Sequence, residues 1–182
     1  MAPALPCCSR GRVTEDEGRG GGMKPRKILV PLDGSGLAET ALGEAIELGR
    51  GGATLVLVRA AEAARVPMAD PTEAQVTVVR EAEGYLESVA ERVRAAGVTE
   101  VETSVWYGSA GEAIIEAARV RSIDLIVMSS HGRSGLGRLV FGSIAETVMR
   151  GTTTPILLIR PSGAPTVPVT PAGARPAEVS RV

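Results

Sequence analysis

Aromatic side chains are scarce in this sequence, at 2% of its 182 residues. Proteins that bind single-stranded nucleic acid stack bases on aromatic rings, so this shortage argues against that function. The formal net charge of -1 excludes the strong basic field that attracts nucleic acid or anionic membranes. No apolar run approaches the roughly 20 residues that a membrane-spanning helix needs. We therefore expect neither a nucleic acid partner nor a membrane location.

Cysteine and histidine are also rare. Cys7 and Cys8 are adjacent, and His131 is the single histidine. Neighbouring cysteines seldom bridge each other, and two thiols with one imidazole do not make a zinc site. A Ser-His-Asp hydrolase would have to use His131, yet the G-x-S-x-G nucleophile elbow is missing around the serines beside it. The sequence thus predicts no catalytic residue and no metal ligand, and it favours a cytoplasmic protein because no apolar signal segment precedes Cys7.

Glycine, proline and charge are concentrated at the two ends of the chain, where no hydrophobic period is visible. We expect a disordered N-terminal tail over residues 1–23 and a disordered C-terminal tail over residues 162–182. Residues 24–161 then form one domain. Met23 directly precedes the first predicted strand, which makes it a candidate for the natural start.

Strand and helix patterns alternate between these tails. The predicted strands are continuous apolar runs, except the third, which alternates polar and apolar residues and is therefore expected at an edge. They cover residues 27–32, 54–59, 101–107, 124–128 and 155–159. Helices begin after Ser35, at Thr72, after Ser109 and at Ile144, with capping-box pairs Ser109–Glu112 and Ser143–Glu146. The pattern predicts an α/β fold with an open five-stranded parallel sheet, strand order 3-2-1-4-5 and helices on both faces, which is Rossmann-like.

A glycine-rich segment, Gly132 to Gly142, follows the fourth strand and precedes a helix. Glycines let the backbone approach a ligand, and the free N–H groups at a helix start favour phosphate. Ser143 is a candidate hydroxyl donor or helix cap. Arg133 is a candidate to neutralise phosphate charge, with a solvated surface arginine as the alternative.

Asp33 ends the first strand, and in the predicted order strands one and four lie side by side where the strand order reverses. Ligands of such sheets bind at that point. The Asp33 carboxylate is suited to accept hydrogen bonds from an adenine amine or a ribose hydroxyl. An N-cap or Asx-turn role explains it equally well.

Two common phosphate motifs are incomplete. Arg138 follows Gly137 where a Walker loop needs lysine, so P-loop hydrolysis is not supported. Gly34 and Gly36 begin a dinucleotide fingerprint, but Glu39 replaces its third glycine. Strand two ends in Arg59, where NAD enzymes place an acid.

The segments Lys27–Ser35, Met128–Leu136, Gly142–Ser143 and Thr154–Ile159 resemble the universal stress protein family. The resemblance spans about residues 24–161. The family's ATP-binding branch carries G-x2-G-x9-G-[ST], which Gly132, Gly142 and Ser143 match, while Ser129 replaces the first glycine. The resemblance implies that adenine and ribose contact Pro31, Leu32, Asp33, Val58 and Met128, and that phosphates contact Ser129, Gly132, Gly142, Ser143 and Ile144. It also implies a homodimer through the last strand, Pro155 to Ile159.

From these features we expect an ATP-binding, nucleotide-responsive regulator in the stress response, with Mg²⁺ as a possible companion of the phosphates. Two alternatives stay open. One is slow ATP hydrolysis, or self-phosphorylation on Ser130, Ser134 or Ser143, although no general base is evident. The other is a dimeric interaction module that needs no nucleotide.

Overall fold

The domain is built around one five-stranded parallel sheet in the order β3-β2-β1-β4-β5, as the sequence predicts. The computed structural model describes residues 24–62, 71–130 and 142–160. The predicted tails, with Met23, lie outside the described residues. The strands are β1 (Lys27–Pro31), β2 (Thr54–Ala61), β3 (Val101–Tyr107), β4 (Leu125–Ser129) and β5 (Ile156–Ile159). The prediction that the third strand lies at an edge is confirmed, since β3 occupies one end of the order and β5 the other.

Five helices connect the strands within the described residues: α1 (Gly36–Glu39), α2 (Leu42–Arg50), α3 (Pro71–Ala95), α4 (Ala110–Val120) and α5 (Ser143–Gly151). The sequence predicts one continuous helix after Ser35, whereas the structure divides it into α1 and α2. The hydroxyl of Thr40 donates a hydrogen bond to the Leu37 carbonyl at 2.7 Å. At the same junction the N–H groups of Thr40 and Ala41 donate to the carbonyls of Leu37 and Ala38 at 3.3 Å, which is the tighter i→i−3 pattern of a 3₁₀ turn. The apolar stripe continues across this break and does not reveal it.

Each face of the sheet carries its own hydrophobic core. Helices α1, α2 and α3 cover one face, where Ala41, Leu86 and Val93 pack on Ile28 and Leu57. Helices α4 and α5 cover the other, and bury Leu29, Val56, Val58, Ile126 and Met128. With both faces covered, β1, β2 and β4 are the apolar runs that the sequence shows.

The two predicted capping boxes differ from the structure. Ser109 is the N-cap of α4, but its hydroxyl donates to the Glu112 carboxylate at 2.9 Å and caps no backbone N–H. The box at Ser143 is wrong: the N-cap of α5 is Gly142, and Ser143 is the first helical residue. The Gly142 carbonyl accepts the Glu146 N–H at 3.0 Å, while the Glu146 side chain pairs with Arg150.

Candidate functional site

A cleft lies over the carboxyl ends of β1, β2 and β4, where the strand order reverses. The space between its walls is about 610 Å³, a volume that includes open solvent at the mouth. Nine of the eleven predicted site residues line it: Pro31, Leu32, Asp33, Val58, Met128, Ser129, Gly142, Ser143 and Ile144. The remaining two, Gly132 and Arg133, lie outside the described residues, as does His131.

The turn after β1 places the Asp33 carboxyl at one wall of this cleft. The Ser35 N–H donates to Asp33 Oδ1 at 2.9 Å, and the Ala38 N–H donates to Ser35 Oγ at 3.1 Å. Gly34 takes φ +83°, a left-handed conformation that favours glycine. The Asx turn, which is one of the roles predicted for Asp33, is therefore present, and Asp33 also lines the cleft.

The start of α5 forms the opposite wall. The Gly142 N–H donates to the Ser130 carbonyl at 2.8 Å, and the Ser130 N–H donates to the Ile159 carbonyl at 2.8 Å. These bonds tie the residues that flank segment 131–141 to each other and to β5. Gly142 has no side chain that can cap α5, and the N–H groups of a first helical turn have no intrahelical acceptor.

The floor of the cleft is apolar. Val58 is 1% and Met128 4% exposed, and Ile114 of α4 joins them in the wall. Ser130 is named from the sequence only as a candidate for self-phosphorylation, and sequence reasoning missed five other lining residues, which are Ala38, Ala60, Ala110, Ile114 and Ala145. Most of these are small or aliphatic and carry no chemistry of their own. The predicted strand order, with the helices placed on it, was the signal that could have located them.

Among the described lining residues, the polar groups are the Asp33 carboxyl, the serine hydroxyls and the backbone. In the described parts of the chain, no group of three or more His, Cys, Asp or Glu side chains is arranged to hold a metal ion. Within the same residues, no helix is both long and apolar enough to cross a membrane.

Behind the Asp33 turn lies a polar cluster that joins α1 to α3. The Tyr85 hydroxyl donates to Glu39 Oε1 at 2.8 Å, and Arg92 pairs with Glu39 Oε2 at 3.0 Å. Burial, followed by the hydrogen bond to the Glu39 carboxylate, raises the pKa of Tyr85 well above its usual value. The phenol therefore stays protonated at neutral pH and acts as a donor.

The fold is an open parallel α/β sheet protein with a cleft at its switch point. The sequence model of the universal stress protein family matches residues 24–160, and the chain belongs to this family. A putative universal stress protein of Staphylococcus haemolyticus is 31% identical over 140 residues, which cover 74% of this chain and 84% of that protein.

Solved structures agree with this assignment. The universal stress protein UspA of Lactobacillus plantarum superposes with a TM-score of 0.65 at 25% identity, covering 74% of this chain and 97% of that one. A universal stress protein family protein from Arabidopsis thaliana, solved with AMP bound, has the same fold at a TM-score of 0.57. It is 14% identical, over 76% of this chain and 94% of its own.

Proposed function

We propose that this protein binds ATP, or a related adenine nucleotide, in the cleft between the Asp33 turn and α5. The observation that carries the proposal is the convergence of the nine lining residues on one site at the switch point. The Val58 and Met128 side chains offer an apolar surface to the base. Asp33 offers a carboxylate to the ribose hydroxyls or the adenine amine.

The start of α5 is the proposed phosphate site. The first N–H groups of a helix, together with its dipole, attract anions. Gly142, Ser143 and Ile144 all line the cleft there, and Ser129 lies in its wall. Gly132 and Arg133 belong to the same proposed site by sequence. Mg²⁺, if it accompanies ATP, would be held by the phosphate oxygens.

The Arabidopsis protein with AMP bound shares this fold, and we propose the same class of ligand, an adenine nucleotide, for the present chain. A protein that binds a nucleotide without an evident catalytic group is suited to regulation, and we propose a nucleotide-responsive role in the stress response. A cytoplasmic location stays a prediction.

Titration calorimetry with ATP, ADP, AMP and adenosine tests the proposal. Trp106, the single tryptophan, packs beside the core that contains Val58 and Met128, so its fluorescence gives a second readout. We expect saturable one-to-one binding of ATP and a rise in Tm. Absence of heat and of thermal stabilisation at millimolar ATP would contradict the proposal.

A cleft-filling variant adds a structural control. Ala60 lines the cleft, so Ala60→Leu should weaken ATP binding by about tenfold or more through steric exclusion. Ala95→Leu adds the same side chain at the exposed end of α3 and should leave affinity unchanged. Equal affinities for the two variants would place the ligand elsewhere.

We further propose that two copies associate through β5. This strand is an edge, and Leu157 on it is 37% exposed; an apolar edge of this kind invites pairing with another chain. Native mass spectrometry should show a dimer that Leu157→Lys dissociates. Val120→Lys, at a more exposed apolar position on α4, should leave the dimer intact. A monomeric wild type would contradict this part of the proposal.

A further inference from the structure

Arg59 lies near the carboxyl end of β2, beside the cleft but not among the residues that line it. Its neighbours on β2, Val58 and Ala60, both line the cleft, while the half-buried Arg59 side chain extends toward α3. The guanidinium carbon lies 4.9 Å from the centroid of the Tyr85 ring. On its other side, a Cβ built on Gly34 would lie 3.7 Å from Arg59 Nη1. The cation is therefore held between α3 and the turn that carries Asp33.

This charge has no carboxylate partner in the described parts of the chain. The nearest acid in the cluster, Glu39, is already engaged by Tyr85 and Arg92. The ion pairs found among the described residues involve other basic side chains. A half-buried charge loses hydration, and a cation–π contact with one ring replaces part of it. An arginine that stacks on a ring and has no ion pair among the described residues is well prepared to bind an oxyanion.

The position of Arg59 limits which anion it would bind. It lies on the β2 side of β1, whereas α5 begins on the β4 side, where the Gly142 N–H bonds to the carbonyl of Ser130 directly after β4. A phosphate chain bound at α5 extends away from Arg59. The group closest to Arg59 is then a substituent on the ribose, because the ribose is assigned to Asp33 and Gly34 follows Asp33 directly. Gly34 has no side chain to obstruct this approach.

We propose that Arg59 forms a second anion subsite, which binds a phosphate on the 2′ or 3′ oxygen of the ribose. The inference rests on the proposed function and adds a ligand class to it: adenine nucleotides that carry phosphate on both sides of the ribose. The same physical solution occurs in dinucleotide-binding sheets, where an arginine near the end of the second strand accommodates a ribose 2′-phosphate.

Calorimetry with AMP, adenosine 2′,5′-bisphosphate and adenosine 3′,5′-bisphosphate tests the subsite. The wild type should bind at least one bisphosphate about tenfold more tightly than AMP, as expected for one added arginine–phosphate contact. Arg59→Met should abolish this preference and change the affinity for AMP by less than about twofold. Arg119→Met removes the same charge from an exposed site on α4 and should retain the preference.

Three results would overturn the inference. The first is that the wild type binds AMP and both bisphosphates with equal affinity, which can be measured without any variant. The second is that Arg59→Met lowers the affinity for all three ligands by the same factor, which would mean that Arg59 supports the turn and does not form a phosphate subsite. Absence of binding by AMP, ATP and both bisphosphates would overturn the proposed function as well, whereas AMP binding without a preference would overturn the subsite alone.

Discussion

Two aspartates at opposite ends of the sheet show how position decides what a carboxylate does. Asp124 precedes β4 at the amino end, where its Oδ2 accepts the N–H groups of Arg26 and Lys27 at 2.8 and 2.9 Å. Asp33 follows β1 at the carboxyl end, where Oδ1 accepts the Ser35 N–H and the residue lines the cleft. The first carboxylate joins two neighbouring strands. The second shapes a turn and faces the space proposed for the ligand.

The comparison extends to the ends of the helices and strands around each aspartate. At the amino end, backbone groups of β1 and β4 are bonded across the Asp124 link, since the Asp124 N–H also donates to the Lys27 carbonyl at 3.0 Å. At the carboxyl end, α5 begins at a glycine N-cap that offers no side-chain acceptor. One end is closed by its own hydrogen bonds, whereas the helix at the other end begins without an N-cap side chain. Four predictions test this difference.

The largest effect is expected from Gly142→Asp. An aspartate N-cap satisfies the first N–H groups of α5, and it places a negative charge where phosphate is proposed to bind. We expect ATP affinity to fall by about a hundredfold or more while stability is unchanged or slightly higher. Calorimetry and thermal unfolding measure both quantities.

Gly142→Asn provides the matched control, because asparagine caps the helix without the charge and should cause a smaller loss of affinity. Adenosine, which has no phosphate, should bind the wild type and both variants with similar affinity. A parallel loss of stability and affinity in Gly142→Asp would indicate misfolding instead of competition at the helix start.

The position of α5 depends on close packing against α4. A Cβ added at Gly111 would lie 2.6 Å from Thr147 Cγ2, so Gly111→Ala should cost about 1–3 kcal/mol of stability. Urea unfolding measures the cost. Gly43→Ala is the control, since nothing lies within 4 Å of its added Cβ, and it should be stabilising by up to about 1 kcal/mol.

Thr147→Ser identifies the contact responsible. It removes Cγ2 and retains the hydroxyl that donates to the Ser143 carbonyl at 2.9 Å. Gly111→Ala should cost markedly less in the Thr147→Ser background, which makes the two substitutions non-additive. Simple additivity would show that the clash does not limit the packing of these helices.

Exchanging each aspartate for asparagine sharpens the central comparison. Asp33→Asn retains an acceptor for the turn but removes the charge, so ATP affinity should fall by about tenfold with little change in Tm. Asp124→Asn should lower the Tm and leave ATP affinity unchanged. The comparison fails if both variants lose affinity equally, or if the two effects are exchanged.

The smallest effect is the pH dependence of the Asp124 link. Hydrogen bonds from the Lys27 and Arg26 backbone lower the pKa of the Asp124 carboxyl. A carboxyl whose pKa is lower in the folded state stabilises the protein above its unfolded pKa, near 4, and loses that contribution as the pH falls through the folded value. Lowering the pH from about 5 to 3 should therefore lower the Tm of the wild type more than that of Asp124→Asn, as measured by thermal unfolding. Parallel curves would contradict this account.

Much of the architecture could be predicted because apolar periodicity reports which faces are buried. Continuous runs in β1, β2 and β4 and the alternation in β3 were sufficient to give the strand order. Local hydrogen bonding is less visible in a sequence. The break at Thr40 and the N-cap at Gly142 are local backbone features, and a shift of one residue at a helix start leaves the hydrophobic pattern unchanged.

The candidate site could be predicted where residues carry distinctive chemistry. Asp33, Gly142 and Ser143 gave a signal, and the structure brings them to one cleft. Ala60, Ala110 and Ile114 gave none, because small and aliphatic residues occur throughout the core. Their place in the cleft follows from strand register and helix packing, which distant parts of the chain determine together.

The central claim is that backbone N–H groups at the start of α5 bind the phosphates of an adenine nucleotide. Amide nitrogen–proton NMR spectra, recorded during titrations with ATP and with adenosine, test it most directly. The account predicts that the amide signals of Ser143, Ile144 and Ala145 shift strongly with ATP and little with adenosine, while that of Asp33 shifts with both. ATP binding that leaves the three α5 amides unmoved would contradict the claim.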